Sequence, residues 1–279
     1  MGLLPIALLF FFLVSLILNY LNNLNEKTAI EIVNEMGIGY NLGNSFDSFD
    51  IHKKIKNPDE QITLLGNPIP TNKLINNIKK NGFKTIRFPV TWENFLDNSG
   101  NVSPEWMIRV KEVVNLIVNK NMYCILNVHN DVWINKMTKD KYINLWKQIS
   151  TEFKDVNELL IFESMNEQTF VQNFFFYDYK TFANIAQSFV DTVRNSEGYN
   201  KKRLLLISGM KADLELTCTP EFIMPVDSIN KLAISIHYYI PVQFTLNDGI
   251  MAISNEWGSE DDYFEIMKNF NTMKEIFCR

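Results

Sequence analysis

Short apolar runs rich in β-branched and aromatic residues alternate along this chain with longer stretches whose apolar residues recur at helical spacing. That alternation limits its fold more than any other feature. The strand-type runs cover 36–41, 82–90, 122–129, 159–165, 203–208 and 232–237, and the helical patterns cover 72–80, 104–120, 139–153, 179–194 and 261–277. In the second helical pattern Val110, Val113, Val114 and Ile117 share a face, and Pro104 suits the first turn. A strand, a helix and a second parallel strand are joined by a crossover of one hand, so a chain of such units builds a parallel sheet covered by helices. An open dinucleotide-binding sheet accepts six strands, but Gly37 and Gly39 fall inside the first strand and the third glycine of that turn is missing. The expected α/β fold is therefore a TIM-type (β/α)8 barrel, incomplete, with about six of eight units present in this chain.

Length supports one domain over 21–279: with 279 residues, 46% of them hydrophobic, the chain can bury a single large core. Residues 1–20 stand apart. The stretch 3–18 is apolar and uncharged yet shorter than the roughly 20 residues that span a bilayer, so it reads as a signal peptide or an uncleaved signal anchor. That predicts a secreted, extracellular protein or, in the alternative, one anchored to a membrane by this segment. No Lys or Arg precedes the run, and Asn19-Tyr20-Leu21 is not a small-residue cleavage site. A net charge of −5 with no basic tract argues against nucleic acid as a partner, and no obligate protein partner is evident. Cys124, Cys218 and Cys278 allow one disulfide and a thiol, or three thiols. They lack metal-ligand spacing, so no metal and no cofactor are expected.

Polar residues gather where the strand-type runs end. Arg87 closes the second run, His129 the third, Asn166 and Glu167 follow the fourth, and His237 with Tyr239 follows the sixth. Singly, each has a plain reading: Arg87 pairs with Glu93 or Asp97, His129 is a satisfied core histidine, Tyr239 is an aromatic cover. Together they project onto the one end of a parallel sheet that only loops cover, which packing does not explain.

Five ordered strings carry a family likeness. They are Gly39-Tyr40-Asn41-Leu42-Gly43-Asn44, Gly82-Phe83-Lys84-Thr85-Ile86-Arg87-Phe88-Pro89-Val90-Thr91-Trp92, Asn127-Val128-His129, Met165-Asn166-Glu167 and His237-Tyr238-Tyr239-Ile240-Pro241. From about residue 28 onward the chain resembles glycoside hydrolase family 5, specifically its cellulase-type endoglucanases. The resemblance implies a (β/α)8 barrel that cleaves β-1,4-linked glucan, polysaccharide or oligosaccharide, with retention of configuration. It implies Glu167 as general acid/base and Asn166 as the residue that binds the 2-hydroxyl. Arg87, His129, His237 and Tyr239 would orient the second carboxylate and the sugar, and Asn44 and Trp133 would complete the substrate-binding set. Two alternatives stay open: an inactive relative that binds glucan on Trp92, Trp133 and Tyr238, and a mannan or xyloglucan specificity on the same barrel.

Such chemistry asks for a protonated acid, hence a carboxyl with a raised pKa, and for a nucleophilic carboxylate about 5–5.5 Å away. The family carries that nucleophile on a seventh strand, and the chain shows no such strand after its last helical pattern, so an impaired, truncated enzyme is expected. Glu256, at the end of the apolar run 250–255 and followed by Trp257-Gly258, is a candidate. Its 19 positions from His237 leave little room for a crossover helix. Asn130 stands where the family usually has a second histidine, Leu65 where it often has Trp, and Gln168 where it has Pro, which is expected to loosen the loop after Glu167.

Overall fold

Capping starts the described chain: Thr28 accepts the backbone N–H of Glu31 while the Glu31 carboxylate takes the N–H of Thr28 at 2.7 Å, opening α1 (Ala29–Met36). The computed structural model describes residues 26–50, 52–131, 133–134, 138–173, 176–245 and 256–277. The apolar leader, the run 250–255 and Cys278 lie outside them. Within them the chain continues through β1 (Gly39–Asn41), α2 (Pro58–Thr63), α3 (Asn72–Lys80), β2 (Thr85–Phe88), α4 (Pro104–Val118), β3 (Tyr123–Asn127), α5 (Lys139–Glu152) and β4 (Leu160–Glu163). A hairpin of β5 (Val171–Asn173) and β6 (Phe176–Tyr177) precedes α6 (Tyr179–Arg194), β7 (Leu205–Ser208), α7 (Leu214–Thr217), β8 (Leu232–Ser235), α8 (Val242–Thr245) and α9 (Glu260–Phe277). The main sheet runs β1-β2-β3-β4-β7-β8 with every neighbour parallel, the six-stranded part of a barrel wall that the alternation requires.

Strand side chains alternate between two cores. One set, including Cys124, Leu126, Leu160, Phe162, Leu205 and Ile207, packs outward beneath the helices. Trp146 of α5 joins this layer, with its ring 5.3 Å from Phe162 and 4.5 Å from Phe189 of α6. The other set, Tyr123, Ile125, Ile161, Leu204 and Leu206, points to the inside of the barrel and is closed at the amino end by Ile32 of α1. Two bonds seat α1 as a plug: the Thr85 hydroxyl donates to the Met36 carbonyl at 2.7 Å, and the Tyr123 hydroxyl to the Glu35 carboxylate at 2.7 Å.

One buried cation ties the wall together. Arg203, 1% exposed just ahead of β7, donates to the carbonyls of Phe153, Val156, Asn157 and Leu160 and to the Asn200 side chain, at 2.5–3.0 Å. Every N–H of a guanidinium is thereby used, and the end of α5 is fastened to β4 and β7. At the other end of β7 the chain must pass Thr217 closely. A Cβ added at Gly209 would stand 2.0 Å from the Thr217 hydroxyl, so only glycine fits there.

Cys124 and Cys218 are free thiols, the first fully buried. No helix of the described residues is long and apolar enough to cross a membrane.

Candidate active site

Alternation along the strands sets the site's floor. The last inward position of β2, β3 and β4 is polar, Arg87, Asn127 and Glu163, and β8 ends on Ser235. Glu163, 1% exposed, takes Arg87 at 2.8 Å and the Asn127 amide at 2.8 Å on one oxygen, and the Ser235 hydroxyl at 2.6 Å on the other. Arg87 therefore pairs with neither Glu93 nor Asp97 but with a carboxylate from two strands away. Its remaining N–H groups reach Asn41 at 3.1 Å and Asn166 at 2.9 Å.

Just above this floor stand the residues that follow β4. Ser208 donates to the Asn166 carbonyl at 2.6 Å, and Tyr142 to the Ser164 carbonyl at 2.7 Å, so the backbone leading to Glu167 is pinned from both sides. Gln168, expected to loosen this loop, does the reverse. It is 9% exposed and its amide donates to the Asp131 carbonyl at 3.2 Å, while its own carbonyl accepts from Lys211. Lys211 and Ala212 both hold left-handed backbone, φ 56° and 50°, a strained turn whose Ala212 carbonyl accepts the His237 N–H at 2.8 Å.

Glu167 and His237 meet at 2.5 Å, carboxylate to Nδ1. That bond, with partial burial opposing it, holds the Glu167 carboxyl below the ordinary range, which reverses the sequence expectation of a raised pKa. Removing it has a definite sign. In His237→Asn the Glu167 pKa should rise, moving the alkaline limb of the pH–rate profile upward. An unmoved limb would show that Glu167 is not the titrating acid.

His129 stands at the floor's edge. Its Nδ1 meets the Asn127 amide at 3.2 Å and its Nε2 lies 3.9 Å from Asp47. Burial pulls its pKa down to about 3, helped by Arg87 and His237, so the ring is neutral at working pH. Tyr239, half-exposed, sets its ring edge-on to His237 at 6.4 Å. Those two and Asp213, Leu214, Glu215 and Pro241 line a cavity of about 460 Å³ beside the Glu167–His237 pair.

The other sequence candidates scatter. Asn44 is exposed in the loop after β1, where its carbonyl accepts from Asn67 at 2.8 Å. Trp133 donates its indole N–H to Asp131 at 3.0 Å, and Lys141 covers its ring at 4.5 Å. Trp92 is wholly buried, donating to the Asn127 carbonyl, and Tyr238 stacks on Phe270 of α9; neither is an open platform. Asn130, in the second-histidine position, ties its loop to the Asp47 carbonyl at 2.8 Å. Glu256 is exposed and belongs to none of the described strands, four residues ahead of α9, while the run 250–255 before it lies outside the described residues. Among the described residues, no three His, Cys, Asp or Glu side chains cluster to hold a metal.

Sequence reading passed over Glu163, Asn127, Ser235 and Asp131. Asp131 is fully buried beneath Trp92 and Trp133, and burial lifts its pKa to about 7. A carboxyl raised above its unfolded value binds its proton more tightly in the folded chain, so its contribution to stability is lost as pH rises from about 4 through about 7. Urea unfolding of Asp131→Asn should lack this slope, a difference of up to about 4 kcal/mol across that window. Parallel stability curves for the two proteins would refute it.

Parallel strands clad in helices, with a carboxylic acid and its histidine at the loop-covered end, define an α/β barrel with its polar site where such barrels keep their chemistry. The chain belongs to glycosyl hydrolase family 5, the cellulase family, whose profile matches residues 43–275. It is 33% identical to Endoglucanase A of Paenibacillus barcinonensis, over 86% of this chain and 68% of that protein. It is 34% identical to Endoglucanase A of Clostridium longisporum, over 89% of this chain and 51% of that one, so it spans about half the length of that relative. Among solved structures it superimposes on a GH5-4 broad specificity endoglucanase from an uncultured bovine rumen ciliate. There the TM-score is 0.86 and identity 48%, over 91% of this chain and 76% of the other. A family 5 lichenase from Caldicellulosiruptor sp. F32, solved as a mutant with cellotetraose, matches with a TM-score of 0.82 and 31% identity over 89% of this chain and 74% of that one.

Proposed function

We propose that this chain is the catalytic part of an endoglucanase that cleaves β-1,4-linked glucan with retention of configuration, Glu167 giving its proton to the departing glycosidic oxygen. The observation that carries this is the Glu167–His237 bond at the carboxyl end of β4 and β8, with Asn166 held beside it by Arg87. In a retaining reaction a second carboxylate about 5–5.5 Å from the acid attacks the anomeric carbon, and Glu167 then turns base toward water. That neighbouring charge would also raise the Glu167 pKa, against the pull of His237. Glu256 belongs to none of the described strands and is not assigned that role.

Relatives named as endoglucanases and a lichenase with cellotetraose support β-glucan as the substrate class. The test is incubation with lichenan, barley β-glucan, xyloglucan and glucomannan. New reducing ends, together with a rapid fall in viscosity, are expected from the β-glucans where a second carboxylate completes the pair, and binding of cellotetraose alone where none does. A protein that releases none and binds no cellotetraose would sink the proposal. Delivery outside the cell belongs to the same reading, resting on the apolar stretch 3–18, and N-terminal sequencing of material from the culture medium checks it.

A further inference from the structure

We infer that Glu163, a buried carboxylate that touches no substrate, is a positioning residue that decides which hydrogen-bonding groups the sugar meets. It does so by holding in place Arg87 and Asn127, the two side chains that set the amide of Asn166 and the ring tautomer of His129. The inference rests on the glucan reading above for the identity of the ligand, not for the network itself.

Two donors of unambiguous polarity anchor the chain of reasoning. Arg87 can only donate, so Asn166 must present its Oδ1 to the guanidinium at 2.9 Å and keep Nδ2, its donor end, for a ligand. Likewise the Val90 backbone N–H, 3.2 Å from the Asn127 side chain, can only donate, so Asn127 turns Oδ1 toward Val90 and Nδ2 away. Both hydrogens of that Nδ2 are then assigned, one to Glu163 at 2.8 Å and one to the His129 Nδ1 at 3.2 Å. A ring nitrogen that accepts has no proton, so neutral His129 carries its hydrogen on Nε2.

Glu163 stands at the root of both branches. One of its oxygens receives Arg87 Nε and Asn127 Nδ2 together, and the Ser235 hydroxyl holds the other from the far side. The group is 1% exposed and draws its partners from β2, β3 and β8, so its geometry is fixed by the sheet rather than by loops. The result is a floor that offers two N–H donors, Asn166 Nδ2 and His129 Nε2. Such a floor suits the oxygen acceptors of pyranose hydroxyls, and a neutral amide at 163 would leave Arg87 without its counter-charge.

Histidine side-chain nitrogen spectra of the full chain read this directly, since it holds three histidines and exposed His52 is assigned by His52→Gln. In the natural protein His129 should appear as a single Nε2–H tautomer from about pH 5 to pH 8. Glu163→Gln, nearly isosteric, should give a mixture of tautomers and bind cellotetraose about tenfold or more weakly. A proton on Nδ1 of His129 in the natural protein overturns the inference whether or not any variant folds. So does a folded Glu163→Gln that keeps both the tautomer and the affinity. If the natural protein shows the Nε2–H tautomer but binds no cellotetraose, the glucan reading fails, while a mixture of tautomers in Glu163→Gln still upholds the control of His129 through Glu163.

Discussion

Glu167→Gln should lower hydrolysis of natural β-glucan by about 10²–10⁴-fold, the usual worth of a positioned general acid. The loss should shrink on aryl cellobiosides with a good leaving group, because their departure needs no proton. Glu167 is half-exposed, with one bond to His237, so the melting temperature should move little. That combination separates a lost acid from a damaged fold. Equal losses on both substrate types would place the residue elsewhere in the mechanism, and unchanged turnover would remove it altogether.

The second large effect concerns stability. Arg203→Leu deletes five hydrogen bonds at once and leaves four carbonyls and the Asn200 side chain facing an apolar stem. The Phe153 and Asn157 carbonyls keep the backbone N–H groups of Val156 and Leu160, so at most three acceptors are left unpaired; each costs on the order of 1–3 kcal/mol, and a total loss of about 3 kcal/mol or more is expected, a large part of a domain's net stability. Arg203→Lys should fall between, since an ammonium supplies charge but fewer donors in no fixed plane. Urea midpoints at equal protein concentration report the order. A leucine variant within about 0.5 kcal/mol of the natural protein would mean that water replaces the guanidinium in this cage.

Much of the wall was legible because its physics is local. Apolar runs of strand length and valines at helical spacing gave β2 to β4, β7, β8 and the long helices close to their observed limits. Glu163 escaped because β4 is buried on both faces, so the run reads as apolar and one carboxylate inside it looks like an interruption. Read by twos, it is the last inward position of its strand, level with Asn127 in the next. The lowered pKa of Glu167 was not legible, since its cause, His237, lies 70 positions away. Exposure misled in the same way: Trp92 and Trp133 are the same residue type, and only packing decides that one supports the core while the other lies under a lysine. The α1 capping box, Thr28 to Glu31, was in plain view but follows the apolar leader closely, and the β5–β6 hairpin has no Asn-Gly or Asp-Gly turn to announce it.

The plug formed by α1 also fixes a direction. Glu26, the first described residue, is bound by Lys202 at 3.1 Å and Lys231 at 3.2 Å, just ahead of β7 and β8, at the pole of the barrel opposite Glu167. A tether attached at Glu26 itself would therefore start from the back of the molecule. Tethered there, to a membrane or to a solid bead, the protein would present its cleft outward to an insoluble fibre, whereas attachment near the loops after β4 or β8 would turn that cleft against its own support.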